Sequence, residues 1–205
     1  MLEEEQMRIF SIVSVCTINL VIGLVYIVQI RRHQISPALA MWVFFSIATV
    51  GSLLTYLAEG GFSPWDNILN SADFFLVLSV SITIFLYGDR STRFNRFDVG
   101  CLIAVCLILI AWIFTRQHVI AHSAIQLILV IAYFPVIKRL WRASRNTESY
   151  VMWVGLMLAP IFALLSSKGL LATVYSVRSM VGPALLLLLM GWNAWQRCRV
   201  ARGLE

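Results

Sequence analysis

The stretch LLATVYSVRSMVGPALLLLLMGWNAW, Leu170 to Trp195, holds a single formal charge, Arg178, with apolar sequence on both sides. The run exceeds the roughly 20 apolar residues that a helix needs to cross a bilayer. A guanidinium at such a depth is costly, and charges there face a partner or a wet cavity. The whole chain is 60% hydrophobic with mean hydropathy +0.84, so this stretch is not an exception.

Six further apolar stretches precede it: Ile9–Ile30, Pro37–Leu57, Ile68–Tyr87, Val99–Phe114, Val119–Ile137 and Tyr150–Leu165. The fourth and sixth sit at or below the about 17 residues that suffice for a span. None alternates apolar with polar residues, as strands of a membrane barrel would. The reading is an all-α membrane protein of seven transmembrane helices, a single domain over residues 1–205 with no room for a soluble unit. The first stretch reads as a retained helix. Its leader carries Glu3, Glu4 and Glu5 where a signal peptide has a basic region, and no small-residue cleavage pattern follows.

The net charge of +6 does not point to nucleic acid, because the basic residues are divided among loops. Arg31 and Arg32 follow the first helix, and Arg90, Arg93 and Arg96 the third. Lys138, Arg139, Arg142 and Arg145 follow the fifth, and Arg197, Arg199 and Arg202 the seventh. The opposite side has Arg8, Arg116 and Lys168 beside Glu3, Glu4, Glu5, Glu59 and Asp66. The positive-inside rule then places the N-terminus outside and the C-terminus in the cytoplasm of a multi-pass protein. Cys16, Cys101, Cys106 and Cys198 are scattered, three of them in apolar stretches, which argues against a disulfide framework.

A parallel recurs between the two ends of the chain. Tyr26, the basic pair Arg31-Arg32, Ser36 and Met41-Trp42 follow in the order of Tyr133, Lys138-Arg139, Ser149 and Met152-Trp153. Extending that register sets Asn19 against Gln126 near mid-membrane, facing a shared central space. It also sets Asn70-Ser71-Ala72-Asp73 against Tyr175-Ser176-Val177-Arg178. Two parallel three-helix repeats follow, residues 1–90 and 118–205, joined by a linker helix region at 91–117. The other reading is coincidence, since any two helical hairpins share basic loops and interfacial aromatics.

Three helices, a linker helix and three more, running outside to inside, resembles the SWEET and PQ-loop transporters, a group that includes the bacterial vitamin-precursor transporters. The Pro-Gln pair that names the group is split here, with Val28-Gln29 in the first half and Pro135-Val136 in the second. The resemblance implies facilitated passage of a small polar metabolite, a sugar, nucleoside or vitamin precursor, between two triple-helix bundles. It also implies pocket-lining Asn residues in the third and seventh helices. Asn70 is near the first of these places, and the seventh helix has no matching Asn.

The candidate substrate-binding residues are Asn19, Asn70, Asp73, His122, Gln126, Tyr175, Arg178, Trp42 and Trp153. Asp73 lies about 8 Å below the end of its helix and Arg178 nearer 12 Å, at 1.5 Å per residue, which lets them meet across the two repeats. Such an ion pair serves either as a structural lock or as a gate and substrate anchor. His118, His122 and Gln126 form an i, i+4, i+8 polar stripe, with Ser123 adjacent and Tyr133 further on, that should look inward. Two His could also begin a metal or haem site, although zinc needs further ligands. Pro160 and Gly182-Pro183 mark places where a helix can kink. Trp42 and Trp153 read equally as interfacial anchors or cavity aromatics.

Enzymatic readings lack their motifs. No HExxH, GxSxG or CxxCH occurs, and the last helix has no lysine for a retinal Schiff base. The sequence thus calls for no cofactor, no metal and no catalytic residue. A seven-helix receptor that binds without translocating is the alternative to a carrier. The partners are a small polar solute and the lipid bilayer, with a homo-oligomer left open and nucleic acid excluded.

Overall fold

The computed structural model describes residues 2–37, 39–88, 96–142 and 148–201. Among them every regular element is helical: α1 (Leu2–Arg31), α2 (Leu39–Ala58), a 3-10 turn (Pro64–Asn67), α3 (Ile68–Tyr87), α4 (Arg96–Thr115), α5 (His118–Ile131), α6 (Phe134–Arg142), α7 (Tyr150–Ala163) and α8 (Gly169–Ala201). The loop charges Arg90, Arg93, Arg145 and Arg202 lie outside the described residues. Six helical runs are long and apolar enough to cross a membrane, and α7 is a shorter apolar helix.

Helix ends depart from the apolar runs where charge favours extension. α1 starts at Leu2 and takes Glu3, Glu4 and Glu5 into its first turn, and α8 continues to Ala201 with Arg199 in its last. Acidic residues at a helix N-terminus and basic ones at its C-terminus both oppose the macrodipole. The fifth apolar stretch, expected as one helix, is broken at Ala132 and Tyr133. Pro135 has no N–H to give the Ile131 carbonyl. The ladder tightens there, with Tyr133 N–H donating to Val130 at 3.2 Å, and resumes when Ile137 N–H reaches Tyr133 at 3.0 Å.

The surface is apolar: Phe75, Phe85, Phe114, Leu170 and Leu188 are each more than 60% exposed. Exposed apolar area on this scale fits a lipid surround and a multi-pass membrane protein. α4 illustrates it, with Val105 its one buried residue among those described. Helix packing forms a connected set. α1 lies against α3 and α7, α2 against α3, α4 and α5, and α8 against α7, α5 and α6.

Two glycines permit the closest approaches. A Cβ on Gly155 of α7 would collide with Ile22 of α1, and one on Gly182 of α8 would collide with the Tyr133 ring. Small residues at helix crossings let backbones approach where lipid supplies no hydrophobic drive for association.

Both ends of the bundle are tied. At the end carrying the N-terminus, Asp66 accepts from Arg8 at 3.1 Å and Lys168 at 3.0 Å, and from the Ser63 amide and hydroxyl at 2.9 and 2.6 Å. There too Tyr56 donates to the Lys168 carbonyl, and the Ser11 and Ser166 hydroxyls meet at 2.7 Å. At the other end Tyr26 donates to Glu148 at 3.2 Å, and Asn193 to the Leu140 carbonyl at 2.8 Å.

Candidate functional site

Midway along the bundle, α2 presents Thr49, Ser52 and Thr55 at i, i+3 and i+6, all buried. They collect polar side chains from α3 and α5. Asn70 is fully buried, and the amide orientation that satisfies its surroundings has Nδ2 donating to the Thr49 carbonyl at 3.1 Å. Its Oδ1 then accepts from the Leu53 amide at 3.1 Å and the Ser52 hydroxyl at 3.0 Å. A carboxamide thus sits at an i, i+4 carbonyl–amide pair of the α2 ladder, the kind of side-chain support that tolerates helix irregularity in lipid.

Gln126 continues the network. Its Nε2 donates to Ser52 Oγ at 2.7 Å and to His122 Nε2 at 3.3 Å, and its Oε1 accepts from Arg178 Nε at 2.9 Å. His122 Nδ1 lies 3.2 Å from the Ser52 carbonyl and from Thr55 Oγ1, and the ring also reaches the Leu171 backbone. Thr55 itself donates to the Gly51 and Ser52 carbonyls, leaving its oxygen to accept. The donors therefore run from Arg178 through Gln126 to Ser52 on α2, with the His122 ring packed among them.

Arg178 is held from its other face as well. Its guanidinium carbon stands 4.7 Å from the Tyr175 ring centroid, a cation–π contact, and the Tyr175 hydroxyl donates to Asp73 Oδ2 at 2.9 Å. The expected direct pairing of Asp73 with Arg178 is not formed. Tyr175, one turn before Arg178 on α8, stands between the two charges, and Gln126 turns the guanidinium toward α5.

Both charges nonetheless line one cavity of ≈40 Å³, with Trp42, Thr49, Tyr133 and Tyr175 among its walls and Pro183 beside them. Arg178 donates through Nε to Gln126, and no described acceptor meets its two terminal nitrogens. Asp73 is 7% exposed and its Oδ1 is buried without a partner. The Trp42 indole N–H is likewise buried and unpartnered. A space of this size has room for a few waters and is too small for a metabolite.

An aromatic run closes the cavity toward the Glu148 end. Ring centroids lie 5.3 Å apart for Tyr26–Trp42, 6.2 Å for Trp42–Phe45, 5.3 Å for Phe45–Tyr133 and 6.0 Å for Tyr133–Trp153. Trp42 and Trp153 are 1% and 0% exposed, so both are cavity or core aromatics and not interfacial anchors.

Of the residues singled out by sequence, Trp42, Asp73, Tyr175 and Arg178 come together at the cavity. Asn70, His122 and Gln126 support it from behind, and Trp153 ends the aromatic run. Asn19 and Gln126 do not share a central space. Asn19 is buried with both amide atoms unpartnered, in a ≈410 Å³ groove between α1 and α3 that Cys16, Gly23 and Ala72 also line. Helix rotation places it on the α3 side of α1, next to Asp73.

The His stripe also divides. Ser123 is exposed, and His118 Nδ1 accepts from Trp112 Nε1 at 2.9 Å. No three His, Cys, Asp or Glu side chains converge among the described residues. Thr49 and Ser52 are not among the sequence candidates, although their three-residue spacing on an apolar helix is a legible signal. By sequence Asp66 is only a loop charge.

Compared with known proteins, the chain matches no family model, no curated protein and no solved structure.

Proposed function

We propose that the chain is a membrane transporter, a facilitator that moves a small polar metabolite by alternating access between two triple-helix bundles of the SWEET and PQ-loop kind. The observation that carries this reading is that buried Asp73, with one carboxylate oxygen unpartnered, and part-buried Arg178, whose guanidinium is hydrogen-bonded through Nε alone among the described residues, line one cavity where α3 meets α8. A charge pair kept for structure alone would gain by direct contact, because each ion left short of partners in low dielectric is destabilising.

The helix neighbours support the parallel repeat. Exchanging α1 with α5–α6, α2 with α7 and α3 with α8 turns the α1–α7 packing into α5–α2. The same exchange turns α1–α3 into α5–α8 and α2–α3 into α7–α8, and all of these packings occur. It also interconverts the Tyr26–Trp42 and Tyr133–Trp153 ring pairs. The Arg178–Gln126 bond then has its counterpart in Asp73 beside Asn19.

The loop charges orient this bundle with the N-terminus outside and the C-terminus in the cytoplasm. The Asp66 cluster is then the outer closure, and the Tyr26–Glu148 contact belongs to the inner one. With both shut and a cavity too small for solute, the conformation is occluded. Transport requires the ends to open in turn.

The test is counterflow into proteoliposomes holding the purified chain, against protein-free vesicles, for panels of sugars, nucleosides, vitamin precursors and amino-acid-like solutes. Saturable exchange of one class supports the reading. Binding without exchange would instead favour a receptor.

A further inference from the structure

Resting on that transport reading, we infer that the solute is a small organic zwitterion, its carboxylate on the terminal nitrogens of Arg178 and its ammonium on Asp73. Charge and hydrogen-bond accounting around the cavity decides the chemistry of the solute. Arg178 has Nε committed to Gln126 and its face to Tyr175, which leaves the planar two-nitrogen edge toward the cavity. That edge matches a carboxylate in bidentate geometry.

Asp73 has Oδ2 committed to the Tyr175 hydroxyl, while its buried Oδ1 has no hydrogen bond and its neighbour is the Asn19 carboxamide, so it offers an acceptor that an incoming donor shares with Asn19. The Trp42 indole N–H adds an unpartnered donor on the same wall. A simple anion would satisfy Arg178 and crowd Asp73 with like charge. A simple cation would do the reverse, and a neutral polyol would leave both formal charges unmatched. Only a solute carrying both charges completes both edges without adding net charge to a buried site.

Tyr175 is the hinge of this arrangement. Its hydroxyl satisfies Asp73 in the closed form, and an ammonium arriving at Asp73 substitutes for that bond or shares the carboxylate with it. The cavity of ≈40 Å³ is smaller than any such solute, so the walls must part. Ser179 and Pro183 of α8 line it, and Gly182, packed on the Tyr133 ring, lies beside Pro183. A proline interrupting the ladder gives α8 a place to bend.

The experiment uses the purified full chain in nanodiscs. Thermal unfolding and calorimetric titration are run with L-alanine, β-alanine and 4-aminobutyrate, with propionate and ethylamine as single-charge probes, and with glucose as the neutral one. At least one zwitterion should raise the melting temperature and bind tenfold or more tightly than propionate and ethylamine. In Asp73→Asn that preference over propionate should vanish, whereas Arg178→Met should abolish binding of both.

Propionate or ethylamine binding as well as the best zwitterion would overturn the inference. So would glucose binding while every zwitterion fails, or no response to any zwitterion. The wild-type panel decides the matter even where a variant does not fold. Zwitterion binding without counterflow would sink the transport reading and keep the site; counterflow of sugars alone would do the opposite.

Discussion

Gln126→Leu tests whether the network behind Arg178 holds the site together. Leucine fills nearly the same volume, so the cavity left is small and the loss is polar. It removes the acceptor for Arg178 Nε and two neutral donations, to Ser52 and His122. A hydrogen bond to a charged group contributes about 1.5–3 kcal/mol, and a neutral bond between membrane helices averages about 0.6 kcal/mol. The expected cost is therefore roughly 3–4 kcal/mol. Equilibrium unfolding by SDS in mixed micelles, followed by circular dichroism, measures it.

Most of that cost comes from a charged donor left without its acceptor. In an Arg178→Met background the donor is gone, and Gln126→Leu should then cost only about 1 kcal/mol, the two neutral bonds. Gln126→Glu should fall between, since its carboxylate accepts from Arg178 but donates to neither Ser52 nor His122. If Gln126→Leu costs the same in both backgrounds, within about 0.5 kcal/mol, then Gln126 does not hold Arg178 and the network argument fails.

Gly155→Ala and Gly182→Ala should each destabilise by about 1–3 kcal/mol through overpacking against Ile22 and the Tyr133 ring; wild-type stability in the same unfolding assay would refute the close crossings. Lys168→Ala should cost less than about 1 kcal/mol, as a half-exposed ion pair does. Asp66→Ala should cost more, because the Ser63 amide and hydroxyl also lose their acceptor; the reverse order would contradict the clamp. A Ser11→Cys, Ser166→Cys pair replaces hydroxyls 2.7 Å apart. Its oxidation should stop counterflow and a reductant should restore it, whereas undiminished exchange would show that these ends do not part. Reporter fusions after Arg32, Arg90 and Lys138, and at the C-terminus, should all report the cytoplasm, and a C-terminal reporter outside would invert the orientation.

The sequence by itself determined the helices and their apolar character, because the length and composition of a span are local properties of about 20 consecutive residues. Ile68–Tyr87 was legible to the residue, and the unusual depth of Asp73 and Arg178 was legible for the same reason. Burial of Trp42 and Trp153, and the support that His122 and Gln126 lend the site, were open possibilities that packing resolved. What only the tertiary structure decided was azimuth. Depth along a helix follows from counting residues, but the direction a side chain takes depends on how each helix is rotated against its neighbours. Asn70 and Asp73, three residues apart, therefore part company, one reaching into α2 and the other toward Tyr175 on α8. The same freedom put Tyr175 between two charges expected to touch, and set Asn19 in a groove away from Gln126. The break at Ala132 and Tyr133 could be suspected from Pro135, yet its consequence, Tyr133 wedged against Gly182 and facing Arg178 across the cavity, exists only once α5 and α8 have packed.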